Sequence, residues 1–352
     1  MIIEKGQPET RLSYEDFRKE FLQSFFDPRF KELSGAIDKI CDQAWKNYSD
    51  GRKAPVTERA GRGFQDPQYQ LSVEWKESQK QVQIAQNEWR GSRPRILVIN
   101  GSPRNEHTCP GEVSKSYLLS QMAMDLITSN SMDVELLDLS RTTVEFGKNI
   151  YPCKGCVSTA MPLCHWPCSC YPNHGLGQVN DWMAEIYLSW VRAHGILIIT
   201  PVHWYQTPSV LKLMMDRMVC ADGGNEDPTS TQGKDARRAK EIELAGWNYP
   251  LHLRDRTFGV IVHGDTVGAE AVRRNLCDWM TDLGLFAAGP RSALDGYIGY
   301  YEPYALSHSA LDKDKEFAEE CQNTIEALIQ QVMLLKKGFK VSGQDLEQVR
   351  KK

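Results

Sequence analysis

The stretch ILVINGSPRNEHT, residues 96–108, decides the fold. Ile96 to Ile99 form an apolar run of strand length. The run stops at Asn100-Gly101-Ser102-Pro103-Arg104, where a glycine permits a tight turn and a hydroxyl and a guanidinium come at once after it. A polar stretch continues to Gly111, and a helix is expected from about Val113. The start of that helix offers N–H groups and the positive end of its dipole. Arg104 offers a planar fork of donors suited to phosphate. The loop therefore predicts a site for a phosphomonoester held without a metal, with Ser102, Arg104, Thr108, Ser114 and Ser116 as its candidate ligands. Neither GxxxxGK[ST] nor GxGxxG occurs in the chain, which argues against a Walker loop and a dinucleotide fingerprint.

Three further apolar runs lie downstream, Val134 to Leu137, Ile196 to Ile199 and Phe258 to Val262, with a fifth near Leu285 to Ala288. Helical faces lie between them: Leu118, Met122 and Leu126; Trp182, Ile186 and Trp190; Leu211, Met215 and Met218. Strands alternating with helices imply a parallel sheet covered on both faces, and right-handed crossovers make it doubly wound. The expectation is an α/β fold with five parallel strands. Ligands then sit outside the carboxyl ends of the strands, where strand order reverses.

Upstream, Tyr14, Phe17, Phe21 and Phe25 recur at helical spacing, and Asp27-Pro28 reads as a cap and first-turn proline for a second helix running from Phe30 to Tyr48. Residues 50–69 read as loop and 72–90 as one more helix. Residues 311–337 form a last helix with a polar tail. This divides the chain into a helical N-terminal extension (1–90), a sheet domain (91–310) with an insertion at 221–250, and a C-terminal helix and tail (311–352). The extension carries Phe17, Phe21, Phe25, Phe26 and Phe30, more aromatic surface than two short helices bury on each other, so a homo-oligomer is expected, a dimer or tetramer.

The 352 residues carry a net charge of -4, with 41% hydrophobic and 25% charged residues. That balance argues against a nucleic-acid partner. No apolar run reaches the roughly 18 residues of a membrane span, and MIIEKGQPET lacks the marks of a secretory signal. A cytoplasmic location is the expectation. Half of the ten cysteines cluster in CKGCVSTAMPLCHWPCSC, residues 153–170. C-x2-C suits zinc, iron–sulfur or redox chemistry, and His165 would serve zinc. Reduced thiols, a metal on Cys153, Cys156, Cys164 and Cys168, and a Cys153–Cys156 disulfide all remain open.

GSPR directly after the first strand resembles the phosphate loop of the NAD(P)H-dependent FMN reductase family. Two more loops agree in order. Thr200-Pro201-Val202-His203-Trp204-Tyr205, with Thr207-Pro208 just beyond it, is similar to the family's flavin-ring segment. Leu211-Lys212 and Asp216-Arg217 resemble the L-K and D-R pairs that the family carries downstream of that segment. His263-Gly264-Asp265 stands where the family has its third flavin loop. The likeness spans about residues 94–290. It implies a flavodoxin-like fold, FMN as cofactor and NAD(P)H as co-substrate. It also implies a flavin site that includes Pro201, Val202, His203, Trp204, Tyr205, His263, Gly264 and Asp265. Iron–sulfur relatives of this family carry a compact cysteine motif at this location, although the spacing here is looser. The ring carries the redox chemistry, so no catalytic residue is assigned. The expected activity is hydride transfer from NAD(P)H to FMN and on to a small acceptor: a quinone, a nitroaromatic, a flavin or a metal ion. The alternative is an electron-transfer flavoprotein serving protein partners, with or without an iron–sulfur cluster.

Overall fold

The computed structural model describes residues 12–50, 56–171, 181–247, 249–264, 267–298, 309 and 311–338. Expectations for Asp265, for residues 1–11 and for the tail beyond 338 lie outside the described residues.

The sheet comprises β3 (Arg95–Asn100), β4 (Asp133–Asp138), β5 (Gly195–Pro201), β6 (Thr257–Gly264), β7 (Phe286–Ala287) and β8 (Ala293–Tyr297). All its pairings are parallel, in the order β4-β3-β5-β6, with β7 and β8 both beside β6. In chain order the places run second, first, third, fourth, fifth, which is the flavodoxin-like winding. The fifth place is shared by two short strands. Phe286–Ala287 meets the start of β6, and Ala293–Tyr297 meets its second half, from Val260 to Gly264.

Alternation along the strands fills two layers. Leu97, Ile99, Ile196, Ile198, Phe258, Val260 and Val262 face α5 (Met183–Arg192), α6 (Ser209–Arg217) and α8 (Ala269–Asp282). Ile96, Val98, Leu197, Ile199 and Ile261 face α4 (Lys115–Ser129) and α9 (Lys315–Lys336). Near-continuous apolar strands are what a sheet covered on both faces requires. Helix starts are set by their caps. Ser114 Oγ accepts from Tyr117 N at 3.2 Å to start α4, and Asp314 Oδ1 accepts from Phe317 N at 3.0 Å to start α9.

Upstream, α1 (Tyr14–Gln23) and α2 (Ser34–Asp50) form a hairpin joined by a 3-10 segment, Pro28–Leu33, that Asp27 caps. The stretch read as loop contains β1 (Thr57–Arg59), which pairs antiparallel with β2 (Gln70–Ser72) just beyond it. Both strands are three residues long, too short for periodicity to reveal. The helix α3 (Val73–Glu88) packs beside α5, and its Val82 and Ala85 join the sheet core. Within the insertion, α7 (Ala236–Ala245) lies against the cysteine segment, where Met161 N donates to Glu243 Oε1 at 3.0 Å.

The C-terminal helix is seated on glycine. A Cβ at Gly195 would fall 2.7 Å from Val332 Cγ2 and 3.1 Å from Leu328 Cδ1. Both neighbours are fully buried side chains of α9. Gly195→Ala should therefore destabilise the chain by about 1–3 kcal/mol through overpacking. Urea unfolding of the variant checks this, and an unchanged midpoint would show that α9 is free to shift.

Candidate functional site

Three loops meet at the carboxyl edge of the sheet, on either side of the point where the chain reverses its winding. The first comes after β3. Gly101 N donates to Ile199 O at 2.8 Å, and a Cβ there would fall 2.7 Å from Thr200 Oγ1 and 3.0 Å from Leu211 Cδ2. The glycine is thus required by the close approach of β5 and α6. Beyond it the backbone is organised by side-chain acceptors. Asn100 Oδ1 accepts from Ser102 N at 3.1 Å, and Ser102 Oγ accepts from Arg104 N at 3.2 Å. Asn105 Oδ1 takes the N–H groups of His107 and Thr108, and Thr108 Oγ1 takes that of Asn105. Asn105 Nδ2 donates to Ser140 O at 2.8 Å, which ties the loop to the turn after β4.

The five candidate phosphate ligands divide. Ser102 and Ser114 are buried hydroxyls that accept from backbone N–H groups, so each has its own O–H to offer an anion. The Thr108 hydroxyl is directed back to Asn105 O at 3.1 Å. Arg104 Nη2 donates to Glu112 Oε2 at 3.1 Å and to Cys109 Sγ at 2.8 Å, so a phosphate would share the guanidinium with a carboxylate. Ser116 is buried, with its Oγ 2.7 Å from His263 Nε2. Its hydroxyl braces the site. Lys115, which sequence reasoning passed over, opens the first turn of α4 and acts electrostatically on His263.

The second loop comes after β5. His203 N donates to Gln206 O and Gln206 N to His203 O, both at 2.9 Å. Between them Trp204 and Tyr205 adopt left-handed backbone, with φ of 48° and 68°. Two consecutive positive φ values make a tight turn of the kind that Asn-Gly usually fills. Here two aromatics occupy it, and they stand 90% and 56% exposed. Left-handed backbone costs a bulky residue about 1–3 kcal/mol. Val202 N is committed to His263 O at 2.9 Å. α6 begins at Ser209 with Pro208 at its N-cap and no side-chain bond there.

The third loop comes after β6. His263 is buried, and burial, then Lys115 and His203, push its pKa down to about 3. It is neutral across the physiological range. A Cβ at Gly264 would lie 3.3 Å from Val202 Cβ, and one at Gly268, where φ is 110°, would lie 3.0 Å from Tyr205 Cα. Both glycines serve the contact between the second and third loops. The arrangement fits a flat phosphomonoester: two buried hydroxyls, a helix N-terminus with a first-turn lysine, and an exposed aromatic pair across the switch point.

Lys212 forms an ion pair with Asp216, and Arg217 is buried against Asp181 and Tyr151 O. Neither reaches the three loops through those bonds.

The cysteine segment forms a separate centre. Cys156 Sγ lies 3.2 Å from Cys170 Sγ, and Cys170 helps hold the Cys168 thiol below its usual range. Cys153 Sγ accepts from Gly155 N at 3.3 Å, and its neighbour in C-x2-C is turned to Cys170 instead. Cys164 is buried, and burial pushes its thiol up. His165 Nδ1 is 2.6 Å from Ser169 Oγ. Among the described residues no group of three or more His, Cys, Asp or Glu side chains is arranged to hold a metal ion.

A sequence profile for NADPH-dependent FMN reductases matches residues 94–293, from just before β3 to the start of β8. No curated protein sequence matches the chain. Solved structures similar to it include RosB with bound 8-demethyl-8-formylriboflavin-5'-phosphate. That likeness has 13% identity and a TM-score of 0.46, covering 69% of this chain and 81% of that one. Another is an FMN-dependent NADH-azoreductase from Bacillus anthracis in complex with FMN, at 16% identity and a TM-score of 0.39, covering 69% and 99%. A third is the flavoenzyme NAD(P)H:(acceptor) oxidoreductase FerB from Paracoccus denitrificans, at 14% identity and a TM-score of 0.34, covering 69% and 98%. The profile covers more than half of the 352 residues and takes in all three loops, so the chain belongs to the NADPH-dependent FMN reductase family and is a flavin-dependent oxidoreductase.

Proposed function

We propose that the protein takes hydride from NADPH or NADH at an FMN seated on the carboxyl edge of β3, β5 and β6, and passes the electrons to a small flat acceptor such as a quinone. When bound, FMN supplies hydride acceptance at N5 and onward electron transfer. The chain's own residues supply binding and orientation. Ser102, Ser114 and the N-terminal turn of α4 hold the phosphate, with Arg104 and Lys115 adding positive charge. Trp204 and Tyr205 provide apolar surface against the ring system. The strained aromatic turn carries this reading. Two exposed aromatics in left-handed backbone beside a phosphate-type loop are costly to the fold unless a ligand uses them. One exposed site serving donor and acceptor in turn suits a chain with no second nucleotide fingerprint. Anaerobic stopped-flow mixing of the FMN-loaded protein with NADPH and then a quinone tests it. Bleaching and then rapid reoxidation are expected. Absence of bleaching by either nicotinamide would favour an electron carrier for protein partners. A cytoplasmic setting, where both co-substrates are found, accords with this reading.

FMN should bind more tightly than riboflavin by about 1.5–3 kcal/mol, the range for hydrogen bonds to a charged group. Glu112→Gln releases Arg104 from its ion pair and should tighten FMN several-fold while leaving riboflavin unchanged. Fluorescence titration of both flavins decides it, and equal affinities for FMN and riboflavin would remove the phosphate assignment.

Trp204→Gly should act oppositely on stability and binding. Relief of left-handed strain stabilises the flavin-free chain by about 1 kcal/mol, and lost stacking weakens FMN by about 0.5–1.5 kcal/mol. Urea unfolding and FMN titration of one variant read both, and a variant that changes neither would sink the assigned role of the turn.

The hairpin α1–α2 is proposed as part of a homo-oligomer interface. Phe17, Phe21, Phe25, Trp45 and Tyr48 pack ring on ring but none of them is buried, and Phe26 is 87% exposed. Deleting residues 1–50 should yield a smaller species in light scattering. A monomeric full-length protein, or an oligomer unchanged by the deletion, would refute the assignment.

A further inference from the structure

The flavin reading leaves the cysteine segment unused, although the fold spends much of its polar bonding on holding that segment still. Trp75 Nε1 donates to Pro167 O at 2.8 Å, Asn225 N to Cys164 O at 2.6 Å, and Lys154 Nζ to Cys170 O at 3.1 Å. This frame brings Cys156 Sγ to 3.2 Å from Cys170 Sγ. Lys234, delivered by the insertion before α7, places Nζ 3.0 Å from Cys156 Sγ and 3.4 Å from Cys170 Sγ, and anchors on Leu163 O at 3.1 Å. A cation shared by two touching sulfurs stabilises a thiolate. The Cys170 hydrogen bond, then the Lys234 ammonium, hold the Cys156 thiol well below its usual range. Cys156 is partly exposed, whereas Cys170 is buried at 5% exposure. One thiol is thus placed to meet a reagent and the other to attack from inside, which is the order a reactive and a resolving cysteine require. A bonded pair needs sulfurs roughly 2.05 Å apart, so closure asks for a shift of only about 1 Å.

We propose that Cys156 and Cys170 are a redox-active dithiol, converted to an intramolecular disulfide by low-molecular-weight disulfides of the glutathione class. The Cys156 thiolate attacks one sulfur of RS–SR, forming a mixed disulfide and releasing RS⁻, which takes a proton from water. Cys170 then gives its proton to solvent and attacks the Cys156 sulfur, breaking the mixed bond and releasing the second RS⁻, which is protonated to RSH. The protein loses two electrons and two protons, and RS–SR becomes two RSH. Two equivalents of thiol reverse it. The chemistry requires no flavin.

The test incubates the full-length protein with oxidised glutathione, alkylates the remaining thiols and maps the peptides by mass spectrometry. A Cys156–Cys170 cross-link that dithiothreitol removes is expected. Cys170→Ser should stop at one glutathione on Cys156, and Lys234→Met should slow the reaction about tenfold by lowering the thiolate fraction. Three results would overturn the proposal. One is both cysteines still alkylated in the wild-type chain. Another is a cross-link between Cys153 and Cys156 or between Cys168 and Cys170. The third is stoichiometric zinc or iron in the purified protein that protects both thiols until it is chelated.

Discussion

The hydrogen bond between Ser116 Oγ and His263 Nε2 holds the functional edge of the sheet together. It joins the first turn of α4, reached from β3, to the end of β6, two places away in the sheet. The main chain of His263 completes the brace, its carbonyl accepting from Val202 N after β5. One buried residue thereby ties all three loops. Burial beside Lys115 and His203 keeps the ring neutral. Removing either partner would strand a buried polar group at a cost of about 1–3 kcal/mol. A doubly wound sheet creates a crevice at its switch point by topology alone, because successive crossovers leave in opposite directions. Topology does not fix the width of that crevice. The Ser116–His263 bond joins two of its edges, and Gly101 and Gly264 leave room for Thr200 and Val202 beside them.

The site stores strain against this rigid brace. The Trp204–Tyr205 turn is closed by two reciprocal backbone bonds, and a Cβ at Gly268 would fall 3.0 Å from Tyr205 Cα. Asn-Gly would make the same turn without steric cost. The aromatics stay in the unfavourable conformation only because the flanking β5 and α6 over-determine the path. That is the usual signature of a position selected for presentation of a side chain at the expense of stability.

Much of this was legible in the sequence. The apolar runs at Ile96, Ile196 and Phe258 became strands because strands buried on both faces must be apolar throughout, and the run at Val134 became the half-buried edge strand β4. By the same logic β8 was invisible: Ala-Leu-Asp-Gly-Tyr is a half-exposed edge segment. The turn after β3 was legible from Gly101, Ser102 and Arg104, but the bonds of Arg104 and Ser116 were not. Their partners, Glu112 and His263, are chosen by three-dimensional proximity, and His263 stands 147 residues from Ser116. Asn100 and Asn105 were overlooked, although an asparagine at a strand end leading into a polar turn is a readable signal for side-chain support of backbone N–H groups. The cysteines teach the same lesson. C-x2-C drew attention to Cys153 with Cys156, whereas the thiol in contact with Cys156 is Cys170, brought by a fold-back that spacing does not encode.

The exposed aromatic turn and the cysteine segment share one helix. The strained turn leads directly into α6, and α6 ends at Arg217, whose guanidinium is buried against Asp181, donates to Tyr151 O at 2.7 Å and lies 5.0 Å from the Tyr171 ring centroid. A buried ion pair of this kind adds little net stability, since desolvation offsets much of the attraction. Its value is geometric. A lysine would supply charge without the fork, and so could not meet Asp181, a carbonyl and a ring face from one fixed plane. Arg217 therefore clamps the carboxyl end of α6 to residues on both sides of the cysteine segment. The helix that follows the exposed aromatic turn is anchored at its far end by the frame that aligns Cys156 and Cys170.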